Sequence, residues 1–175
     1  MRMRHRATTA LAVLTLAMGP AGTALATDAL DDAFLGAVHQ ANLAEIAAGT
    51  DAQKGAVSTC VRETAKVLVR DHSMLDKGVQ ELARKLKVTL PRSVTPKQEQ
   101  ELKDIHKKAR TRAYDNLWLR AQDTAHVRAL DLLENEAAHG KDATVRDAAK
   151  MARPVVARHL DMVRDCMMHS PPRHR

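Results

Sequence analysis

Between Ser58 and Leu86 the chain carries an apolar stripe of helical period. Wound at about 100° per residue, Val61, Ala65, Leu68, His72, Leu75, Val79 and Leu86 fall within roughly 40° of a common line. Arg62, Glu63, Lys66, Arg70, Lys77, Glu81 and Arg84 gather on the opposite side, which fixes the direction of burial. A stripe of this length has to be covered by other long helices, and His72 sits in the middle of it.

The rest of the chain supplies those helices. It is alanine-rich, has one Phe, one Tyr and one Trp, and shows no alternating Val/Ile/Thr run, so the reading is all-α with no strand candidate. A first helix opens near Asp28 to Asp32, whose carboxylates suit an N-terminus. Leu30, Phe34, Val38, Ala41, Glu45, Ala48 and Ala52 share a line along it, which carries the helix past Gly49 to about Lys54. Leu35, Leu43 and Ile46 add a second apolar stripe. Gly55 to Val57 makes a turn, and Ser58 is the expected N-cap of the second helix, which stops before Val88-Thr89-Leu90-Pro91.

From Lys97 to His139 the pattern remains helical for too long to be one ordinary helix. Its phase also changes. Leu102, Ile105 and Ala109 point roughly 90° away from the line of Leu119, His126, Ala129, Leu133 and Ala137, so a break is expected near Lys107 to Thr111. That leaves a short crossing helix followed by a third long one from about Thr111. Gly140-Lys141 closes the third helix and Asp142 caps the fourth, whose line runs through Val145, Ala148, Ala152, Val155, His159, Met162 and Cys166. Pro154 lies inside it. Met74 and Met151 read as core filler.

Residues 1–26 look like an export signal rather than part of the fold. Met1 to Arg6 is basic, Ala7 to Leu16 is a short apolar run, and Ala24-Leu25-Ala26 is a cleavage site, with an uncleaved N-terminal anchor as the alternative. No later stretch approaches the roughly 20 apolar residues that a transmembrane helix needs. The expected organisation is therefore a signal over 1–26, a single domain over 27–168 and a disordered basic tail over 169–175, in a secreted or cell-envelope protein. Losing Arg2, Arg4 and Arg6 takes the formal charge from +7 to +4. With charges interspersed and almost no aromatic rings, nucleic-acid binding is not expected. The two cysteines, Cys60 and Cys166, suit one disulfide in an oxidising compartment, with two buried free thiols as the alternative.

Each long helix puts an ionisable residue on its own buried line: Glu45, His72, His126 and His159, with Gln122 and Asp115 on the side of His126. Counting outward from the two hairpin turns, Glu45 and His72 are offset by about five residues, and so are His126 and His159, some 7 Å, so each pair can meet across the core. Imidazoles and a carboxylate arriving from separate helices are ligand types that Fe, Zn, Cu or Mn accept. The competing account is a buried hydrogen-bond network that sets helix register. Glu136-Ala137-Ala138-His139 spells ExxH but abuts the Gly140 turn, and Cys166-Met167-Met168-His169 reads as helix-end packing rather than a copper site. No GxSxG, phosphate loop, HExxH, CxxC or CxxCH occurs.

Leu43-Ala44-Glu45-Ile46-Ala47-Ala48-Gly49 and Val69-Arg70-Asp71-His72, followed by Ala113-Tyr114-Asp115, His126, Glu134-Asn135-Glu136, Pro154 and His159-Leu160, give the chain its resemblance to a family. In that order and spacing it resembles the exported bacterial proteins of the DUF4142 family, over roughly Phe34 to Met167. The resemblance implies a ferritin-like four-helix bundle with a crossover segment containing a short helix, and the Glu/His positions, but no activity. Where such proteins carry an aromatic-acidic pair before the tyrosine, this chain has Arg110 and Thr111. Ferritin-like connectivity also implies that the second and fourth long helices run antiparallel. Cys60 and Cys166 then lie about 7 Å apart in height, whereas a simple up-down-up-down bundle would put them close to 30 Å apart.

The resulting expectation is an exported bundle whose Glu45, His72, His126 and His159 hold a transition metal in a binding or protective role rather than for turnover. A metal-free structural or interaction domain with a protein partner at the envelope is the rival. A di-iron-type oxidoreductase rests on fold analogy alone, and the missing ExxH pair counts against it.

Overall fold

The computed structural model describes residues 29–169; the expected signal peptide and all of the expected tail except His169 lie outside the described residues. Five helices follow one another: α1 (Ala29–Gly55), α2 (Thr59–Leu86), α3 (Pro96–His106), α4 (Arg112–His139) and α5 (Ala143–Met168). α1 with α2 and α4 with α5 form two closely packed hairpins, and the contact between the hairpins is looser. α3 is the short crossing helix. It starts on a Thr95–Gln98 capping box with Pro96 at its first position. It brings the chain back along the bundle so that α4 sets out from the end where α2 began. The break before α4 falls at residues 107–111, where Arg110 adopts a left-handed φ of 62° and its N–H donates to Gly55 O at 2.6 Å.

Two apolar clusters fill the ends of the bundle. One gathers Val61, Leu68, Ile105, Tyr114, Trp118 and Val163, and the other Phe34, Leu35, Ala83, Leu133, Val145 and Val156. Cys60 and Cys166 stand at the first of these ends with Cα atoms 5.8 Å apart, at disulfide distance, as antiparallel α2 and α5 require. Gly49 is explained by the same close packing. A Cβ there would stand 2.7 Å from Val69 Cγ2 and 3.0 Å from Ala65 O, so α1 approaches α2 more closely than any side chain permits.

Two expectations need correction. Ser58 occupies the N-cap position of α2, but its side chain makes no capping bond. The Asp115 carboxylate, arriving from α4, accepts from Val57 N at 3.0 Å and Ser58 N at 2.9 Å instead. Met74 and Met151 are not core filler: they are 58% and 70% exposed. Met74 winds about 140° away from the α2 line, onto the side of Arg70, Lys77 and Glu81, and Met151 stands at the edge of the α5 line.

The turn between α4 and α5 is held like the turn between α1 and α2, with roles exchanged. Asp31, from the first turn of α1, accepts from Lys141 N at 2.9 Å and Asp142 N at 2.8 Å. Arg62 then donates to Ala56 O and Val57 O, and Arg146 to Gly140 O and Lys141 O. Asp31 and Asp115 are as far apart in sequence as Arg62 and Arg146, so the two hairpins repeat one clasp at opposite ends of the bundle.

Candidate metal centre

Between the two apolar clusters, His72 of α2, His126 of α4 and His159 of α5 converge. Their ring centroids are 5.1 to 5.6 Å apart, and one coordinating atom from each lies within 4.8 Å of the other two. All three are buried, His159 completely. Helical winding explains their meeting: each lies on its helix's apolar line, and the hairpins bring the lines to one height.

Each ring has one nitrogen engaged and one without a partner. His72 Nδ1 donates to Asn42 Oδ1 at 2.9 Å, His126 Nδ1 to Gln122 O at 2.9 Å, and His159 Nε2 to Asp71 Oδ2 at 3.0 Å. An imidazole that donates at one nitrogen presents a lone pair at the other. The remaining atoms, His72 Nε2, His126 Nε2 and His159 Nδ1, are buried with no hydrogen-bond partner.

The electrostatics keep these rings neutral at pH 7. Burial, reinforced by His126 and His159, pushes the His72 imidazole down to about 3. Burial likewise pushes His126 down to about 4, and it lowers His159 against the upward pull of Asp71. Asp71 itself is held at about 2, chiefly by the hydrogen bond from Arg70 Nε at 2.6 Å. It is therefore an ionised acceptor fixing the His159 ring.

Glu45 is buried and lines the same cavity as His72 and His126, but it stands outside the three-histidine group. Burial raises its carboxyl to about 8, with Gln122 pulling down and Glu101 pushing up, and Glu45 Oε2 has no partner. Three residues nearer the start of α1, Asn42 is the residue that touches His72. Asp115 is buried too, but its carboxylate serves the α2 turn rather than the histidines. His139 is exposed, while Glu136 is buried and raised to about 7 by burial and then by Asp31. These two do not act as an ExxH pair. At the end of α5, Cys166 faces Cys60, Met168 is exposed and His169 Nδ1 turns to Asp165 O.

The apolar-line reading passed over several buried polar residues, Asn42, Asp71, His39 and Asp76 among them. Asn42 and Asp71 orient the histidines. His39 and Asp76 pair at 2.7 Å, with Gln80 donating to the other Asp76 oxygen at 2.6 Å. The signal was present as polar residues at helical spacing, His39 and Asn42 six and three residues before Glu45 on α1 and Asp71 and Asp76 on α2, beside the apolar stripes rather than on them.

A family model described as "Domain of unknown function (DUF4142)" matches residues 16–166. No curated protein matches the chain significantly. Among solved structures, the crystal structure of a DUF305 fragment from Deinococcus radiodurans is similar, with a TM-score of 0.72 at 10% identity, covering 82% of this chain and 98% of that one. At that identity the likeness shows the fold alone.

Proposed function

The chain belongs to the DUF4142 family, whose description assigns no activity, and on that footing we propose that it holds one transition-metal ion in a binding or protective role outside the cytoplasm. The ligands are His72 Nε2, His126 Nε2 and His159 Nδ1. One observation carries the reading: three buried nitrogens without partners stand together, while the other nitrogen of each ring is tied to an oxygen acceptor. That is the arrangement by which outer partners fix the tautomer and aim of metal-binding histidines. A self-satisfied register-setting network would not leave three neighbouring acceptors orphaned, because each costs free energy in the interior.

Neutral imidazoles favour Zn, Cu or Fe over Mn, which prefers oxygen ligands. On a tetrahedral zinc, imidazole nitrogens stand about 3.3 Å apart, so a modest inward rotation of the rings closes the group on an ion. Glu45 and Gln122 line the cavity onto which His72 and His126 also face. Export is part of the proposal and is supported by the cysteine pair, which suits an oxidising compartment. Elemental analysis of untagged protein, purified without chelator and compared with His72→Ala and His126→Ala, is the test. One equivalent of metal in the wild type, lost in both variants, is expected; wild-type protein free of metal that also fails to take up added zinc or copper overturns the reading.

A further inference from the structure

We propose that the cavity between the two hairpins binds the aliphatic chain of a single-chain amphiphile whose head carries an O–H donor, a hydroxyl or un-ionised carboxyl group. The cavity measures about 650 Å³, well inside the roughly 300–1,000 Å³ of small-molecule sites. Its walls are aliphatic, with Val38, Leu75, Val79, Leu82, Leu132 and Val155 among them. Phe34 is the sole Phe, Tyr or Trp among the described lining residues, so a flat aromatic ligand would find little to stack on.

Shape and polarity give the ligand a direction. The cavity follows α1 from Ala48 to Phe34, and the eleven residues from Glu45 to Phe34 span about 16 Å, the length of roughly a dozen methylenes. At the Glu45 end, two side chains that are 7% and 3% exposed, Glu45 and Gln122, line the cavity and leave Glu45 Oε2 and Gln122 Oε1 without partners. Gln122 Oε1 can only accept, so an occupant that satisfies it has to bring a hydrogen, and the oxygen of the same O–H group can accept from Glu45 Oε2 where that carboxyl holds its proton. At the surface, the exposed Met74 and Met151 belong to the lining, and methionine adapts its shape to variable aliphatic ligands. Gly78, in the interior of α2, also lines the cavity, and a Cβ there would meet nothing within 4 Å.

The inference goes beyond the metal reading and does not need it: His72 and His126 share the cavity lining, but the tail walls and the two head-group oxygens belong to other residues. The test therefore uses the full chain stripped of metal. A dansyl-labelled undecanoic acid is titrated below its micelle concentration, then displaced by lauric acid and by dodecanol. Saturable one-to-one binding in the micromolar range is expected. Val155→Trp and Leu132→Trp, which fill the wall from different helices, should each weaken it by about tenfold or more. Displacement by both competitors identifies the shared O–H head; displacement by one shows which head is taken. His159→Ala, the one histidine of the three that does not line the cavity, should abolish metal uptake and leave the amphiphile bound, so failure of one reading is separable from failure of the other. Absence of saturable binding, or binding unchanged in either tryptophan variant whose melting remains cooperative, overturns the proposal.

Discussion

The Asp71 carboxylate joins an exposed arginine to a fully buried histidine: one oxygen accepts from Arg70 Nε at 2.6 Å and the other from His159 Nε2 at 3.0 Å. It thus sets which nitrogen of His159 faces His72 and His126. Asp71→Ala should lower affinity for zinc or copper by about 10- to 100-fold while leaving the three ligands in place. Isothermal titration of the metal-stripped variant, with Arg70→Ala as a milder comparison, measures this; unchanged affinity would remove Asp71 from the site.

Acid should destabilise the metal-free protein, and so should mild base. His72 and His126 fall from 6.5 to about 3 and 4 on folding, so between those values and 6.5 the unfolded chain binds more protons and stability drops as pH falls. Glu45 rises from 4.5 to about 8, so in that window the folded state holds the extra proton and stability drops as pH rises. Between 4.5 and 6.5 the two imidazoles are opposed by two raised carboxyls, Glu45 and Glu136, the latter at about 7. The contribution of these groups should therefore be broad between about pH 4.5 and 6.5 and fall on either side, changing by about 1.4 kcal/mol per pH unit for each uncompensated proton. Urea unfolding across the range checks this, and Glu45→Gln should flatten the alkaline side and, with its offset gone, leave stability rising with pH between 4.5 and 6.5.

Two helix-interior glycines should respond to alanine with opposite signs. At Gly49 a Cβ meets Val69 and the backbone of Ala65, so Gly49→Ala should cost about 1 to 3 kcal/mol. At Gly78 it meets nothing, and the gain in helix propensity should stabilise by about 0.5 to 1 kcal/mol. Chemical denaturation of the two variants decides it, and a shift of the same sign in both would contradict the packing described.

Reduction should weaken the fold substantially. Cys60 and Cys166 are separated by 106 residues, and the chain-entropy model assigns a closed loop of that size about 4 to 5 kcal/mol. Unfolding with and without reductant, set beside a Cys60→Ser, Cys166→Ser double variant, measures it. Identical curves would mean that the pair is not bonded.

Periodicity carried much of this into view. The apolar lines located the long helices and the change of phase between Ile105 and Leu119 located the crossover, while antiparallel α2 and α5 with the cysteines at one end came from what the family resemblance implies about connectivity. His72, His126 and His159 were legible because a histidine on an apolar line has nowhere to go but inward. Asn42 and Asp71 were not, because polar residues bordering a stripe look the same whether they meet solvent or a buried ring. The methionines misled for a related reason. Their hydrophobicity signals burial, but the helical period puts Met74 on the charged side of α2 and Met151 at the edge of the α5 line, and both are exposed. Ser58 had the right position for a cap, yet a carboxylate from a distant helix took the role.

The exchanged clasps of Asp31 and Asp115 also bear on how the molecule is made. When the second bend leaves the ribosome, the acid that secures it has long been synthesised and is waiting. The first bend has no such advantage, for its acid lies a whole helix and a crossover downstream. The leading half must therefore stay provisional until the trailing half arrives, and a chain cut between them should leave two fragments that each lack the fastening carried by the other.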